Sequence, residues 1–130
     1  MIDPGGSGLE IVGLGIDCEE LERWKDMLGG PQSSVAIRVF DEEELAYAAK
    51  TGDFACTLAG CWCAKEAVFK ALPGLKSWDP RGISVRHDCD GRPIVHLNGR
   101  LAQADHTSVL VSISYTQSLA IAVALALKTP

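Results

Sequence analysis

The feature that most constrains the fold of this chain is a long run of small and apolar residues between Asp53 and Leu72. Only a few charged side chains interrupt the run, and Pro73 and Gly74 follow it directly, a pair that ends a helix. We therefore predict one long helix over this segment. A helix this apolar is expected to be the most buried helix of the fold.

The predicted helix also carries a charged pair. Glu66 and Lys70 stand at i,i+4 spacing and so share one face, with Trp62 and Phe69 close to that face. A carboxylate beside a lysine offers a hard oxygen ligand for Mg²⁺ and a compact cation for phosphate oxygens. Asp17, which follows an apolar strand, offers a second carboxylate. Each motif also has an ordinary explanation, because such pairs stabilise exposed helices and such aspartates cap helices or form turns.

Hydrophobic spacing predicts further helices and strands in the rest of the chain. Helices are expected from Asp17 or Cys18 to Leu28 and from Asp41 to Ala49, where Asp41 and Glu44 form a capping-box pattern. Strands are expected over 9–16, 83–87, 94–97, 109–114 and 120–127, with a hairpin about 90–91 and a helical turn over 100–105. This order predicts an α+β domain, an antiparallel sheet packed against a long central helix.

The length of 130 residues is that of one domain, which we place at residues 9–130. Residues 1–8 contain Pro, Gly and Ser and predict a flexible leader or an expression remnant. They lack the features of a secretory signal, and no stretch reaches the roughly 18 apolar residues of a membrane span. We therefore expect a cytoplasmic protein with no membrane partner.

Charge and cysteine spacing argue against two other classes of protein. The net charge of −5 gives no support to nucleic-acid binding. The chain has 5 cysteines and 3 histidines, but no C-x-x-C pair and no histidine spacing typical of a zinc site. Free thiols in a reduced interior are therefore expected, rather than disulfides or a Cys/His metal site.

In this order and spacing, Gly15-Ile16-Asp17 and Trp62-x-x-Lys65-Glu66-Ala67-x-x-Lys70 resemble the paired signature of the phosphopantetheinyl transferases. The similarity is greatest to the short holo-acyl-carrier-protein synthase type and extends over about residues 9–127. Other segments that resemble the family are 38–45, 58–60, the D-x-x-G-x-P hairpin at 88–93, and the final strand at 111–114. The resemblance implies the 4′-phosphopantetheinyl transferase fold.

The activity implied by the resemblance is transfer of the 4′-phosphopantetheine group of coenzyme A to a serine of an apo acyl or peptidyl carrier protein, which releases 3′,5′-ADP. Asp17, Glu66 and Lys70 would be the catalytic residues. Asp17 and Glu66 would ligate Mg²⁺, and Lys70 would neutralise a phosphate oxygen. Lys65 would contact a phosphate of coenzyme A, the alternative being a solvated lysine. The base for the serine is left open between Glu66 and a metal-bound water.

Carrier docking is implied on the first helix, with Arg23 and Lys25 as contacts and Arg38 in a similar role. The first helix is otherwise acidic, as carriers are, so any docking patch must be local. The short members of the family are homotrimers with active sites at subunit interfaces, and this half-length chain is expected to be one. The carrier would serve fatty-acid, polyketide or nonribosomal-peptide synthesis.

Two positions depart from the family pattern. Cys61 stands where arginine is common, and Tyr115 follows Ser114 where histidine is common. In the family these positions contact the 3′-phosphate and adenosine end of coenzyme A. We therefore expect weaker binding of the nucleotide, because two charge-assisted hydrogen bonds are lost. The residues expected at that end are Cys61, Pro93, Ser114, Tyr115 and Thr116. The alternatives are a catalytically weak carrier- or coenzyme A-binding homologue that acts as a structural or interaction module, and a domain taken from a larger synthase.

Overall fold

The structure, a computed structural model, describes residues 8–28, 33–103 and 107–129. The leader expected over residues 1–8 lies outside these ranges, apart from Gly8. In chain order the elements are β1 (Glu10–Glu20), α1 (Leu21–Leu28), α2 (Ser34–Val39), α3 (Glu42–Lys50), α4 (Phe54–Ala71), β2 (Ile83–His87), β3 (Pro93–Leu97), β4 (Thr107–Tyr115) and β5 (Leu119–Lys128). Two 3₁₀ turns, Pro80–Gly82 and Gly99–Gln103, flank the hairpin of β2 and β3. The predicted α+β class is confirmed.

The core lies between α4 and a three-stranded antiparallel sheet. The strand order of this sheet is β1-β5-β4, and β2 pairs with β3 in a separate antiparallel ribbon. Successive strand residues point to opposite faces of a sheet. On β5 the inward-facing residues are all small and buried: Ala120, Ala122, Ala124 and Ala126. The long helix therefore covers one face of the sheet and leaves the other face uncovered.

Two glycines on β1 allow α4 to approach the sheet at backbone distance. A Cβ atom added at Gly13 would lie 1.6 Å from the carbonyl oxygen of Ala71, and one added at Gly15 would lie 1.8 Å from that of Ala67. Both positions therefore require glycine. The consequence is that β1 and the C-terminal half of α4 are fixed against each other, which positions any side chain that follows on the inner face of β1.

The predicted ends of the second and the long helix agree with the structure. At the start of α3, the Asp41 side chain accepts from the Glu44 backbone N–H at 2.9 Å and Glu44 accepts from that of Asp41 at 2.8 Å. This is the predicted capping box. Asp53 caps α4, which ends at Ala71, just before Pro73.

Two expectations about helices were wrong or incomplete. The first helix begins at Leu21 rather than at Asp17 or Cys18, because β1 keeps its pairing with β5 as far as Glu20 opposite Leu119. Asp17 is therefore a strand residue and not a helix N-cap. The short helix α2 was not predicted at all; its N-cap is Ser33, whose hydroxyl accepts from Ala36. With only 6 residues it gives too little periodicity to detect.

All five cysteines carry free thiols. Cys61 and Cys63 are buried, whereas Cys18 and Cys89 are exposed, so the thiols fill the interior only in part. Within the described ranges, no helix is both long enough and apolar enough to cross a membrane.

Candidate active site

Asp17 and Lys70 meet where β1 passes the C-terminal half of α4. Gly13, Gly15 and Asp17 share the inner face of β1, so the close approach at the glycines brings the Asp17 carboxylate to the helix. Lys70 Nζ donates to the Ile16 carbonyl oxygen at 3.0 Å and to Asp17 Oδ1 at 3.4 Å. The Lys70 side chain is 49% exposed and that of Asp17 14%, so this pair is open to solvent.

The negative charges of Asp17 and Glu66 are only partly neutralised by neighbouring groups. Asp17 Oδ2 is buried and has no hydrogen-bond partner among the described residues. Burial raises the pKa of Glu66, the charge of Asp17 raises it further, and Lys70 opposes both effects. One ammonium group thus stands beside two carboxylates that repel each other. A divalent cation between them would relieve this repulsion.

The donor set fits Mg²⁺. Carboxylate oxygens are hard ligands, and Mg²⁺ is commonly bound by one or two protein carboxylates, with water and phosphate oxygens completing its shell. Across the described part of the chain, no group of three or more His, Cys, Asp or Glu side chains is placed to hold a metal. Asp17 and Glu66 would therefore form an open site that depends on the substrate for further ligands.

An aromatic wall, formed by Trp62, Phe69 and Trp78, flanks Glu66. Trp62 and Phe69 lie on α4 on either side of Glu66, and Trp78 follows the helix. The Trp78 ring stacks on Phe69 with centroids 5.2 Å apart and on Trp62 with centroids 5.7 Å apart. The wall supplies apolar surface beside Glu66, in keeping with burial as the main cause of its raised pKa.

The assignment of Lys65 to a coenzyme A phosphate is wrong. Its side chain is 0% exposed, and its ammonium lies 3.0 Å from Glu44 Oε2, which is 1% exposed. Lys65 Nζ also donates to the carbonyl oxygens of Pro80 and Ile83. These three acceptors match the three donors of an ammonium group, so none is free for a substrate. The alternative reading, a solvated lysine, is wrong as well.

Cys61 is also a core residue, so its thiol offers little surface to a nucleotide. Its side chain is buried, and its thiol donates to Glu44 Oε2 at 3.4 Å. Burial and the neighbouring Glu44 charge raise the pKa of Cys61 well above its usual range. At this position an arginine would be buried beside Lys65. The departure from the family pattern at Cys61 is therefore accommodated by the core.

Other predicted coenzyme A residues lie at the opposite edge of the sheet. There a cleft of about 490 Å³ collects Pro93, Tyr115, Thr116 and the carrier-binding candidate Lys25. The hydroxyl of Tyr115 points inward: a Cβ added at Gly60 would lie 1.9 Å from it. Burial raises the pKa of Tyr115 to about 12. The same cleft is lined by a stacked pair, Tyr47 and His87, with centroids 3.9 Å apart.

The structure does not gather the remaining predicted residues into one site. Ser114 alternates with Tyr115 on β4 and so faces the outer side of the sheet. Arg23 lines a groove between α1 and α2 whose floor includes Trp24 and Trp62. Arg38 is exposed in the last turn of α2. Of the three basic residues proposed for the carrier, Arg23 and Lys25 therefore line two different clefts.

Sequence reasoning missed the buried role of Glu44. Beyond the capping box, Glu44 Oε2 accepts from the Val85 backbone N–H at 2.8 Å and pairs with Lys65. Arg86 in turn donates to Asp41 Oδ2 at 3.0 Å and pairs with Glu43. The only sequence signal was that Lys65 stands on the apolar side of a helix predicted to be buried, where a lysine needs a partner.

The fold and the open pair of carboxylates define a known class of protein. The family model of the 4′-phosphopantetheinyl transferase superfamily matches residues 13–124, and the chain belongs to this family. It is 35% identical over 122 residues to the holo-[acyl-carrier-protein] synthase of Caldicellulosiruptor saccharolyticus, an alignment that covers 91% of this chain and 98% of that protein. It is 35% identical over 119 residues to the holo-[acyl-carrier-protein] synthase of Clostridium botulinum, an alignment that covers 88% of this chain and 96% of that protein.

Solved structures of the same class superpose on the chain. The acyl carrier protein synthase of Mycobacterium tuberculosis gives a TM-score of 0.73 at 32% identity and covers 93% of this chain and 100% of that one. The holo-(acyl-carrier-protein) synthase of Bacillus anthracis, solved in complex with coenzyme A (3′,5′-ADP), gives a TM-score of 0.76 at 31% identity. The match covers 92% of this chain and 98% of that one.

Proposed function

We propose that this protein transfers the 4′-phosphopantetheine group of coenzyme A to a serine of an apo acyl carrier protein. The observation that carries the proposal is the open site of Asp17 and Glu66, in which a buried carboxylate oxygen lacks a partner and Lys70 stands alongside. Membership of the family and the similarity to holo-[acyl-carrier-protein] synthases support the same reaction.

In the proposed reaction the serine oxygen bonds to the phosphorus of the phosphopantetheine group. The bond from that phosphorus to the bridging oxygen breaks, 3′,5′-ADP leaves with the electron pair, and the serine proton passes to a base. Asp17 and Glu66 would hold Mg²⁺, which when bound neutralises pyrophosphate charge and orients the oxygens. Lys70 is half-exposed, and its ammonium donates to the Ile16 carbonyl oxygen and to Asp17. Its third donor would contact a phosphate oxygen of the leaving group.

The proposal includes a homotrimer. The uncovered face of the three-stranded sheet is apolar: Leu14 is 67% exposed, Ile16 61% and Leu110 60%. Leu14 and Leu110 both pair with Leu125, and Ile16 pairs with Val123, so these side chains form one contiguous patch. A patch of this kind favours association with another protein surface. A second copy of the chain would cover it.

A shared active site gives a reason for that assembly. Asp17, Glu66 and Lys70 lie at the β1 edge of the sheet, whereas Tyr115 and Thr116 lie at the β4 edge, with β5 between the edges. We propose that the metal site of one protomer faces the coenzyme A residues of its neighbour. Pro93, in the same cleft as Tyr115, belongs to this proposed nucleotide end.

Mixed assemblies test the shared site. We expect Glu66→Gln and Tyr115→Asp to be inactive alone, because one removes a metal ligand and the other places a negative charge at the proposed phosphate end. Equal amounts co-expressed should regain about a quarter of wild-type activity if the protomers assort at random in a closed ring. No regain, with trimers present by ultracentrifugation, would contradict a site built from two protomers.

Leu110→Glu tests the apolar patch. We expect this substitution to release monomers in sedimentation, because a buried interface does not tolerate an unpaired carboxylate. Ile37→Glu is a matched control, since Ile37 is 55% exposed but lies on α2, away from the sheet. A stable trimer in Leu110→Glu would place the interface elsewhere.

The activity itself is tested by mass spectrometry of the carrier. Apo acyl carrier protein incubated with the enzyme, coenzyme A and Mg²⁺ should gain the mass of one phosphopantetheine group, and chelation of Mg²⁺ should prevent the gain. Arg23, Lys25 and Arg38 remain proposed carrier contacts, to be tested by the KM for the carrier after reversal of each charge. The cytoplasmic location also stays a prediction.

A further inference from the structure

The thiol of Cys63 lies between α4 and the sheet, beneath the polar end of β1. Cys63 is 0% exposed, and its thiol donates to the carbonyl oxygen of Ala120 on β5 at 3.3 Å. Ala120 belongs to the inner face of the sheet and pairs with Glu19 of β1. The Cys63 side chain therefore points at the sheet, close to the strand positions that carry the carboxylates.

The packing register between α4 and β1 places Cys63 against Asp17. A Cβ added at Gly15 would meet the carbonyl oxygen of Ala67, and one added at the glycine two residues earlier would meet that of the residue one turn later in the helix. Two residues of a strand and four residues of a helix both advance by about 6 Å. The next position along the same faces therefore sets Asp17 opposite Cys63, where the two side chains fill the space that the glycines leave closed.

The two oxygens of the Asp17 carboxylate have different surroundings. Oδ1 lies 3.4 Å from Nζ of Lys70, a side chain that is 49% exposed. Oδ2 is buried and has no hydrogen-bond partner among the described residues. Oδ2 therefore faces the interior, where Cys63 lies, and Oδ1 is the oxygen that an ion from solvent can reach.

The Cys63 thiol is a donor that can serve either of two acceptors. A thiol carries one proton, and rotation about the Cβ–Sγ bond moves that proton from the Ala120 carbonyl oxygen toward Asp17 without moving a heavy atom. Burial raises the pKa of Cys63 far above its ordinary value, and the charges of Asp17 and Glu19 and a hydrogen bond available from the thiol to Asp17 raise it further. The thiol therefore keeps its proton and remains a donor.

We propose that Cys63 positions Asp17 for metal binding: its thiol donates to the buried Oδ2 and thereby holds Oδ1 toward Lys70 and the solvent. This inference rests on the proposed function, which assigns Asp17 to Mg²⁺. A ligating carboxylate is oriented by the hydrogen bond that its other oxygen accepts, and loss of such a partner typically weakens metal affinity or activity by about 10–100-fold. Cys63 is a positioning residue, because it acts only through Asp17.

Three variants of Cys63 separate this role from simple packing. Cys63→Ala removes the donor, whereas Cys63→Ser keeps a small side chain with a donor. Cys63→Val has no donor but leaves no cavity, so it decides the question if Cys63→Ala unfolds. Val68→Ala is the matched control, because Val68 is also 0% exposed on α4 but lies about 140° around the helix from Cys63. Circular dichroism and melting temperatures are recorded for each variant.

The first readout is metal affinity. Mn²⁺ takes the same carboxylate and water ligands as Mg²⁺, and its binding is followed by the loss of the free-ion signal in electron paramagnetic resonance, with and without coenzyme A. We expect Cys63→Ala to weaken Mn²⁺ binding about tenfold and to raise the Mg²⁺ concentration for half-maximal transfer by the same factor, with kcat at saturating Mg²⁺ within about twofold of wild type. Cys63→Ser should stay within about threefold of wild type in both. Val68→Ala should lower only the melting temperature.

The second readout tests the hydrogen bond in the absence of metal. The infrared S–H stretching band of Cys63, identified by its loss in the variants without a thiol, should move to higher wavenumber in Asp17→Asn. The reason is that a neutral amide accepts a weaker hydrogen bond than a carboxylate. A band that Asp17→Asn leaves unchanged would contradict the bond from Cys63 to Asp17, whatever the metal affinities are.

The outcomes distinguish this inference from the proposed function. Unchanged Mn²⁺ binding in Cys63→Ala, or equal weakening in Val68→Ala, would overturn the inference, because the thiol would then act by packing alone. A folded Cys63→Ser variant that binds Mn²⁺ no better than Cys63→Ala would overturn it as well. Wild-type protein that binds no Mn²⁺ even with coenzyme A would instead refute the metal site of the proposed function, and the positioning role with it.

Discussion

Two lysines of helix α4 each pair with a carboxylate from another element, and the two ion pairs differ in burial and in hydrogen bonding. Lys65 and Glu44 are 0% and 1% exposed and their charges are surrounded by further hydrogen bonds. Lys70 and Asp17 are 49% and 14% exposed, their contact is 3.4 Å, and one Asp17 oxygen has no partner among the described residues. The ammonium and carboxylate of the first pair have their partners within the protein. The second pair leaves one carboxylate oxygen without a partner among the described residues, as expected of a pair that binds a ligand.

We propose that this difference separates a structural ion pair from a functional one. A buried ion pair persists only when nearly all its donors and acceptors are satisfied, because an unpaired buried charge costs several kcal/mol. A binding site can instead leave groups incompletely paired until a ligand is bound. Lys65 and Glu66, although adjacent in sequence, are therefore expected to have different roles because their side chains face different environments.

The largest effect is expected from removing either open carboxylate. Asp17→Ala and Glu66→Ala should each abolish transfer, by at least about 10³-fold in kcat/KM, because Mg²⁺ would lose one of two protein ligands. Neither should lower the melting temperature, since each also removes a repulsion between like charges. Rates are measured with Mg²⁺ titrated upward, alongside thermal melts. Rates near wild type in either variant would contradict the two-carboxylate site.

The next effect is on stability and comes from the buried pair. Lys65→Met leaves Glu44 charged, buried and without its ammonium partner, which should cost about 3–5 kcal/mol of unfolding free energy. Denaturant titration measures the loss. The double variant Lys65→Met/Glu44→Gln should recover part of it because no charge is left unpaired. A loss below about 1 kcal/mol in the single variant would show that the pair is not structural.

A smaller effect on rate is expected from Lys70. Lys70→Met should lower kcat by about 100-fold, as removal of one charge-stabilising donor does in other enzymes. Its stability should stay within about 0.5 kcal/mol of wild type, because the side chain is half-exposed and such pairs contribute little. Lys70→Arg should retain more activity than Lys70→Met. A large stability loss without a rate change would reverse the roles given to the two lysines.

The smallest effect is expected at Asp41, whose side-chain exposure of 19% is closer to that of the Asp17 pair than to that of the fully buried Glu44 pair. Burial opposes its ionisation, but hydrogen bonds from the Glu44 backbone, Arg86 and Ser84 lower the pKa of Asp41 below its ordinary value of 3.8. A carboxyl with a lowered native pKa stabilises the fold above its unfolded pKa, and this contribution disappears as the pH falls through the native value.

Asp41→Asn should therefore melt at most about 3 °C below wild type near pH 6, with the gap closing toward pH 3. Differential scanning calorimetry over that pH range measures the gap. A gap that widens as the pH falls would contradict the assigned direction of the pKa shift.

The sequence predicted the long helix, the capping box of α3 and the hairpin because each has a local signal. A proline, a cap residue or an alternating run is visible without the tertiary structure. It also predicted that Glu66 and Lys70 share a face, which follows from helix geometry alone, and it marked Asp17 as the carboxylate that would join them.

What the sequence did not predict depends on which way a side chain faces in three dimensions. Lys65 and Cys61 were assigned to the substrate because their positions match a motif, but burial on the inner side of α4 was decided by the sheet and by Glu44. The start of α1 was misplaced because pairing of β1 with β5 extends the strand through polar residues. Trp78 had no motif around it, and only its stacking shows that it adjoins the site.

The most direct test of this account compares Lys65→Met and Glu66→Gln, variants of adjacent residues, in one experiment. Apo acyl carrier protein is incubated with coenzyme A, Mg²⁺ and each variant at a temperature at which both are folded by circular dichroism. The phosphopantetheine added to the carrier is then followed by mass. We predict that Lys65→Met transfers at close to the wild-type rate per folded molecule, while Glu66→Gln transfers essentially nothing. Loss of transfer in Lys65→Met with activity retained in Glu66→Gln would contradict the assignment of the buried pair to structure and the open pair to catalysis.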